Sequence, residues 1–476
     1  VDQVELIPDE GSFVAMFGPP SANHLGVYAA LRYLRKGSQL KFVRVANYDQ
    51  TATVSTPGTD AGGANAALLV ATGVYSGSFG NSFSLVVSAG SVTGYKIGIQ
   101  VNGATVEMYD NCLIGLANLA DPNYLQTRIN GGSHALMNAF RSSRVTVELG
   151  TGALTLTAGT YALTGGTDGA PTSVADYVGT TVGTTSTGLQ LFTDPEAIDV
   201  NLLAMPGQTA AAAITSLISL CENRGDCLAL IDPPYGYSVS EVVDWSNGVG
   251  DGSPSINSSY AAIHYPWLQV YDAWNDADVW VPPSGHVAAV CAYTDYTADP
   301  WWAPAGLARA ILSDVIQVEY SAKQGERDYM YSGGNFVNPI CSFPGQGTVI
   351  WGQRTATSNL TSLDRINVRR LLLYLRKTVS TSVRYLTFEP NDVYTWRAFV
   401  RLLTPVMEGV KARRGVYDYR VICDSTTNTA ATIARNEMHG KILLQPTKTA
   451  EIITVDFVLL PTGASFDEFV GGGVTS

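Results

Sequence analysis

Apolar residues along this chain recur first with helical spacing, then with strand spacing, then with helical spacing again, and these changes of period divide it. Val27, Leu31 and Leu34 fall on one face of a helix that Ser21 or Asn23 can cap. Arg32, Arg35 and Lys36 load its last turn, and Gly37 is placed to end it in the left-handed conformation. A strand is expected from Leu40 to Ala46. From about Tyr48 to Thr187 short alternating runs take over, such as Ser84-Leu85-Val86-Val87 and Tyr95-Lys96-Ile97-Gly98-Ile99. Gly62-Gly63, Asn102-Gly103 and Asn130-Gly131-Gly132 separate them as turns. Gly165-Gly166-Thr167-Asp168-Gly169 reads as a further tight turn near the exit of this stretch.

The α/β pattern then resumes. Val200 to Met205 reads as a strand. Ile214, Leu217, Ile218 and Cys221 keep the spacing of a helix buried on one side, and Gly225 closes it. Cys227 to Ile231 is the next strand, stopped by Asp232-Pro233-Pro234; strand, helix and strand at this length predict a right-handed crossover with parallel pairing. Further on, Ser362 can cap a helix with Val368, Leu371, Leu372 and Leu375 inward and Arg365, Arg369 and Arg376 on the other side. A second helix carries Trp396, Phe399, Val400 and Leu403, and Pro405 should kink or break it. Tyr417, Tyr419, Val421 and Cys423 alternate as one strand, Ile442 to Leu444 forms another, and Ile453, Val455, Phe457 and Leu459 alternate with Thr454 and Asp456 in a last one. The fold class is therefore α/β (α+β) and multidomain. A discontinuous α/β core (1–48 plus 188–346) is interrupted by an inserted β-rich outer domain (49–187) and followed by a C-terminal α+β domain with a terminal arm (347–476).

Composition agrees with ordered, β-rich and interface-rich structure. Hydrophobic residues make up 46% and charged residues only 15% of the 476, with 47 glycines, whereas disorder needs low hydrophobicity and high net charge. The net charge of −12 disfavours nucleic acid as a partner of the whole chain. The charge is uneven. Residues 360–420 hold about 12 basic against about 5 acidic side chains, a local excess near +7. The six cysteines are scattered without a Cys-x-x-Cys pair and read as reduced core residues. No run of about eighteen apolar residues predicts a membrane span. The start lacks a signal-peptide pattern. It also lacks an initiator Met, so native residues are expected before Val1.

Candidate chemistry is sparse. There is no zinc-binding His-Glu-x-x-His pair and no Gly-x-Ser-x-Gly elbow. Gly248-x-Gly250-x-Gly252 lies in a polar loop without the strand-to-helix setting of a dinucleotide site. Ser284, His286 and Asp295 could be written as a triad, yet two positions apart on one segment is poor geometry for attack. Asp251, Asp272, Asp276 and Asp278 lack the spacing of an EF-hand. No catalytic residue, metal or cofactor is expected, and the chain is not expected to be an enzyme.

The densest signal is Ile263 to Gly306, which holds five of the chain's eight tryptophans among several prolines. A loop-rich core segment or a sugar-binding aromatic shelf both fit that composition. The order Tyr265-Pro266-Trp267, Pro282-Pro283-Ser284-Gly285-His286 and Trp302-Ala303-Pro304-Ala305-Gly306 closely resembles the tail sheath proteins of contractile phages and related injection systems. Gly18, the segment Tyr33 to Val45, Asn201 to Asp232 with Pro206-Gly207, Ser362 to Phe388, and Pro446 to Phe466 extend the resemblance in collinear order.

That resemblance implies a structural subunit that stacks as hexameric rings into a helical sheath around an inner tail tube protein. The sheath contracts on a baseplate signal to drive the tube through a cell envelope, and no nucleotide is needed. It implies self, tube, baseplate and tail terminator proteins as partners, a place in the virion tail, assembly in the host cytoplasm, and no nucleic acid or membrane anchor. Family members usually begin with an extended arm, and none is seen ahead of the core here. The expected tube-facing residues are Lys411, Arg413 and Arg414, at the basic end of the second C-terminal helix. The expected intersubunit strand carries Ile453, Val455, Phe457 and Leu459. A virion or cell-surface glycan-binding protein is the alternative.

Overall fold

The computed structural model describes residues 3–21, 24–45, 55–58, 69–74, 78–115, 120–131, 141–149, 156–166, 170–359 and 361–451. The chain divides into two compact units, one of residues 43–191 with the first four residues, the other of residues 5–42 and 192–476.

The first unit is β-rich. Strands Ala104–Cys112, Tyr95–Val101, Phe83–Ala89 and Gly159–Ala162 lie in that order in one antiparallel sheet. Ser55–Gly58, Leu69–Gly73 and Val145–Leu149 form another. Alternation sets the faces: Leu85, Val87, Ile97 and Ile99 are buried and join Leu69, Val145 and Val147 in one cluster. Asn102 and Gly103 both take positive φ (49° and 81°), the primed turn that an Asn-Gly pair predicts between twisted strands. Gly62-Gly63 and part of the Gly165–Gly169 turn lie outside the described residues.

The second unit is built on a five-stranded sheet. Leu202–Ala204, Leu228–Ile231, Ala261–Tyr265 and Val337–Phe343 are parallel and adjacent in chain order, and Gly347–Ile350 closes the edge antiparallel. The strands Leu228–Ile231 and Ala261–Tyr265 are buried at every position, as expected of parallel strands covered on both faces. Between the first two strands, helix Ala211–Arg224 buries Ile214, Leu217 and Cys221 and ends on Gly225 at φ 65°. The rest of the Pro- and Trp-rich region forms helix Ser284–Thr297 and the strands Ala277–Val281 and Leu268–Asp272, whose antiparallel sheet Val315–Val318 completes. All six cysteines are buried with free thiols.

Several local expectations are corrected. The first long helix spans Leu25–Leu34 with His24 at its N-cap, so Ser21 does not cap it; Asn23 lies outside the described residues. Gly37 does not adopt positive φ. A β-carbon there would lie 2.4 Å from the Tyr33 ring, which would have to swing aside to admit one. The strand after it is only Leu40–Phe42, paired antiparallel with Glu5–Ile7. The next C-terminal helix runs Ile366–Val383 from an Arg365 N-cap without a side-chain bond. Ser362 is too early, because Arg354 and Arg365 form a β-bridge first and the Ile366 amide donates to the Gln353 carbonyl at 2.7 Å. Arg369 is buried, not on an outer face, and so is Arg370: this helix is covered all round in its first turns.

The second C-terminal helix runs unbroken from Val393 to Ala412 through Pro405. Pro405 and Arg401 are both exposed, so water can take the carbonyl that the missing N–H leaves free. Strands Val416–Ile422 and Lys441–Pro446 pair antiparallel. A bulge between Val416 and Asp418 shifts the phase, leaving Tyr417 60% exposed while Val416 is buried. The last predicted strand, with Ile453, Val455, Phe457 and Leu459, lies outside the described residues.

Candidate functional site

Open parallel sheets bind ligands at the carboxyl ends of their strands, where the strand order reverses. Here the parallel strands follow chain order without a reversal. Their carboxyl end is filled from within. The buried Asp232 carboxylate accepts from the Ser284 amide (2.8 Å) and hydroxyl (2.7 Å) at the start of helix Ser284–Thr297, and from the Gly207 amide (3.2 Å). An internal carboxylate thus occupies the position where a helix N-terminus would attract an anionic ligand. Burial pushes this carboxyl up to about 6, against the three donated hydrogen bonds.

The same contacts dismantle the triad. Ser284 is committed to Asp232. The His286 Nε2 lies 3.5 Å from Asp314, and Asp295 receives Arg370. Burial raises Asp314, but His286 and Arg32 outweigh it and hold the carboxyl well below its usual range. Gly248, Gly250 and Gly252 all take positive φ in the loop after helix Val239–Ser246, without a strand-to-helix turn. Among the described residues no group of three or more His, Cys, Asp or Glu could hold a metal ion.

Three of the five tryptophans of this region are taken up by packing, while Trp274 is 60% exposed. Trp267 is buried and donates its Nε1 proton to the Pro233 carbonyl at 2.8 Å. Trp301 is buried and donates to the Arg413 carbonyl at 3.1 Å. Trp302 lies between the guanidiniums of Arg309 and Arg414, 5.0 and 5.3 Å from its ring. This segment is a packing hub.

The basic C-terminal region looks different once carboxylates from distant sequence are in place. Arg370 pairs with Asp295, Lys377 with Asp199 and Asp226, Arg384 with Glu196, and Arg365 with Asp364 and Glu451. Arg369 lies over the Tyr260 ring at 4.0 Å and donates to the Ser259 carbonyl. Of the expected tube-facing residues, Lys411 bonds Asp418 at 2.9 Å, which holds the ammonium above its ordinary range. Arg413 pairs with Asp299 and stacks on Trp301 at 4.8 Å. Arg414 takes positive φ (65°) and stacks on Trp302. All three remain exposed.

Sequence reasoning missed two cations on this helix. Arg397 and Arg401 are exposed, one turn apart, on the face that also presents Tyr394 and Leu402. The outer face was legible as the complement of the Trp396–Phe399–Leu403 stripe; which cations had partners was not.

Two family models match the chain: the phage tail sheath protein central domain over residues 184–356 and the phage tail sheath C-terminal domain over residues 358–459. Together they span more than half of it, and the chain belongs to the contractile tail sheath family. It is 36% identical over 308 residues to the tail sheath protein of Enterobacteria phage T4, covering 61% of this chain and 46% of that protein. It is 34% identical over 307 residues to the tail sheath protein of Vibrio phage KVP40, covering 60% and 45%. The chain therefore spans about half the length of these curated relatives. The crystal structure of a sheath tail protein from Listeria innocua superposes with a TM-score of 0.59 at 12% identity, covering 94% of this chain and 92% of that one, so the fold is shared.

Proposed function

We propose that this chain is a structural subunit of a contractile tail sheath, which polymerises as stacked rings around an inner tube and shortens to drive that tube through a cell envelope. The observation that carries this reading is the adjacent match to both sheath domains, in order, over residues 184–356 and 358–459. The site geometry supports it: the ligand position of the parallel sheet is filled by Asp232, and Trp267 and Trp301 are buried in packing. Hexameric rings, tube, baseplate and terminator partners, and a virion location follow from the same reading.

Two surfaces serve assembly in it. The outer face of helix Val393–Ala412, with Arg397 and Arg401 exposed and Lys411, Arg413 and Arg414 at its end, faces the tube through screened, reversible contacts. The terminal strand with Ile453, Val455, Phe457 and Leu459 pairs with a neighbouring subunit. Strand addition supplies main-chain hydrogen bonds that tolerate large rotations. Negative-stain microscopy of the purified protein tests the reading. Long hollow sleeves are expected, and a uniformly dispersed monomer at high concentration, with or without tube protein, would count against it.

A further inference from the structure

Among the described residues, which end at Glu451, none after Pro446 pairs with the last strand. Val416 and Pro446 form the final register pair, and the Thr447 amide still donates to the Gly415 carbonyl at 3.1 Å. Five residues beyond Pro446 the chain is held elsewhere. The Glu451 carboxylate accepts two parallel bonds from Arg365, at 2.7 Å from Nε and 2.9 Å from Nη2. It also accepts from the Tyr331 hydroxyl at 3.3 Å and the Gln353 side-chain amide at 3.1 Å. The same Gln353 amide donates to the Thr449 hydroxyl at 2.5 Å. Tyr331 in turn accepts from the Gln353 backbone amide at 3.1 Å and faces the Arg365 guanidinium 5.6 Å from its ring centre.

Three elements thus converge on one carboxylate: the end of helix Gln324–Tyr331, the segment after strand Gly347–Ile350, and the N-cap of helix Ile366–Val383. A bidentate Arg–carboxylate pair fixes orientation as well as position. The side chains of Arg365 and Glu451 are each about a quarter exposed, so the paired groups are partly shielded from water. The hairpin partner of Lys441–Pro446 is Val416–Ile422. Outside that hairpin, Thr449 and Glu451 are held by Gln353, Tyr331 and Arg365, none of which belongs to either of its strands.

We propose that this clasp is the fixed root of the terminal strand, a positioning device that delivers the chain beyond Glu451 to a second copy of this protein and away from its own C-terminal sheet. The proposal rests on the reading of that strand as intersubunit. A fixed root lets one strand follow its neighbour through a change of lattice while its own end keeps a single orientation.

The full chain tests it with three variants, each measured for thermal midpoint below the assembly concentration and for sleeve formation by light scattering and microscopy. Glu451→Ala is expected to keep its midpoint within about 2 °C and to assemble at least ten-fold more slowly, and the swapped pair Arg365→Glu/Glu451→Arg is expected to recover most of that rate. Wild-type assembly of Glu451→Ala overturns the proposal. So does early unfolding of that variant, which would make the clasp part of the core, or failure of the swap to restore assembly. Truncation after Glu451 keeps the clasp and removes the strand. Sleeves from the truncated protein would remove the intersubunit-strand reading itself, whatever Glu451→Ala does.

Discussion

Single residues in this core are fixed by reasons the sequence names only in part. Gly285, inside the Pro-Pro-Ser-Gly-His motif, has no special φ; a β-carbon there would lie 2.5 Å from the Ala29 Cα and 2.9 Å from its carbonyl oxygen. Two helices cross with their backbones in contact, and only glycine fits. Gly285→Ala should destabilise by about 1–3 kcal/mol through overpacking. Adding Ala29→Gly should recover only part of the loss, because the backbone atoms of residue 29 remain; full recovery in urea melts would contradict the backbone clash. Buried ionisable groups give a second, signed test. Burial lowers His264 to about 3, so an unfolded chain takes up a proton below about 6.5 that the folded one refuses. Stability from His264 is therefore lost as pH falls through that range. Asp232 works the other way. Its folded value near 6 exceeds the unfolded one, so ionising it removes stability as pH rises from about 3.8 through 6. From pH 6.5 to 4.5 the two oppose each other. Relative to wild type, Asp232→Asn should become progressively less stable over that descent and His264→Phe progressively more stable. Parallel urea midpoint curves for all three proteins would refute both assignments.

Elements were legible where one face alone is buried, and misread where burial wraps around. Ile214, Leu217 and Cys221 placed their helix correctly because its other side meets water. In helix Ile366–Val383 the same reasoning sent Arg369 outward, yet its first turns are covered on every side and its cations are held by Tyr260, Ser259 and Asp295. Such partners lie about 75 to 110 residues away in the chain, and periodicity carries no information at that range. The local excess of positive charge had the same fate. Most of it is answered by carboxylates from 194–300 and 418–451, and on the second helix Arg397 and Arg401 have no ion-pair partner among the described residues. This separates two kinds of charge reversal. Arg397→Glu/Arg401→Glu should weaken binding to tubes several-fold and shift the thermal midpoint by no more than 1–2 °C, the ordinary effect of surface changes. Arg413→Glu should lower the midpoint clearly as well, because it meets Asp299 with like charge and strips the face of Trp301. Unchanged tube co-sedimentation of the first variant would take the tube away from this face.

At the scale of the whole molecule the chain divides into two compact units, with residues 43–191 in one and residues 5–42 and 192–476 in the other. The core unit leaves at Phe42 and resumes at Phe192. Between them the β-rich unit has a cluster of its own, with Leu69, Leu85, Ile97, Ile99, Leu125 and Val147 all buried. The expected terminal strand rests on alternation alone, since a strand's partner is set by a sheet edge and not by its own residues. A segment with its own hydrophobic cluster gains its stability internally, and insertion succeeds where few contacts depend on the interrupted backbone. We therefore expect that replacing Tyr48 to Thr187 by a short Gly/Ser linker leaves a folded core. Its five-stranded sheet and the two C-terminal helices lie wholly in residues 202–412, outside the replaced stretch. Calorimetry should show one cooperative transition for the shortened protein, with a smaller unfolding enthalpy in proportion to the residues removed. A broad, non-cooperative melt with early loss of near-ultraviolet circular dichroism would make residues 48–187 part of the core's own foundation.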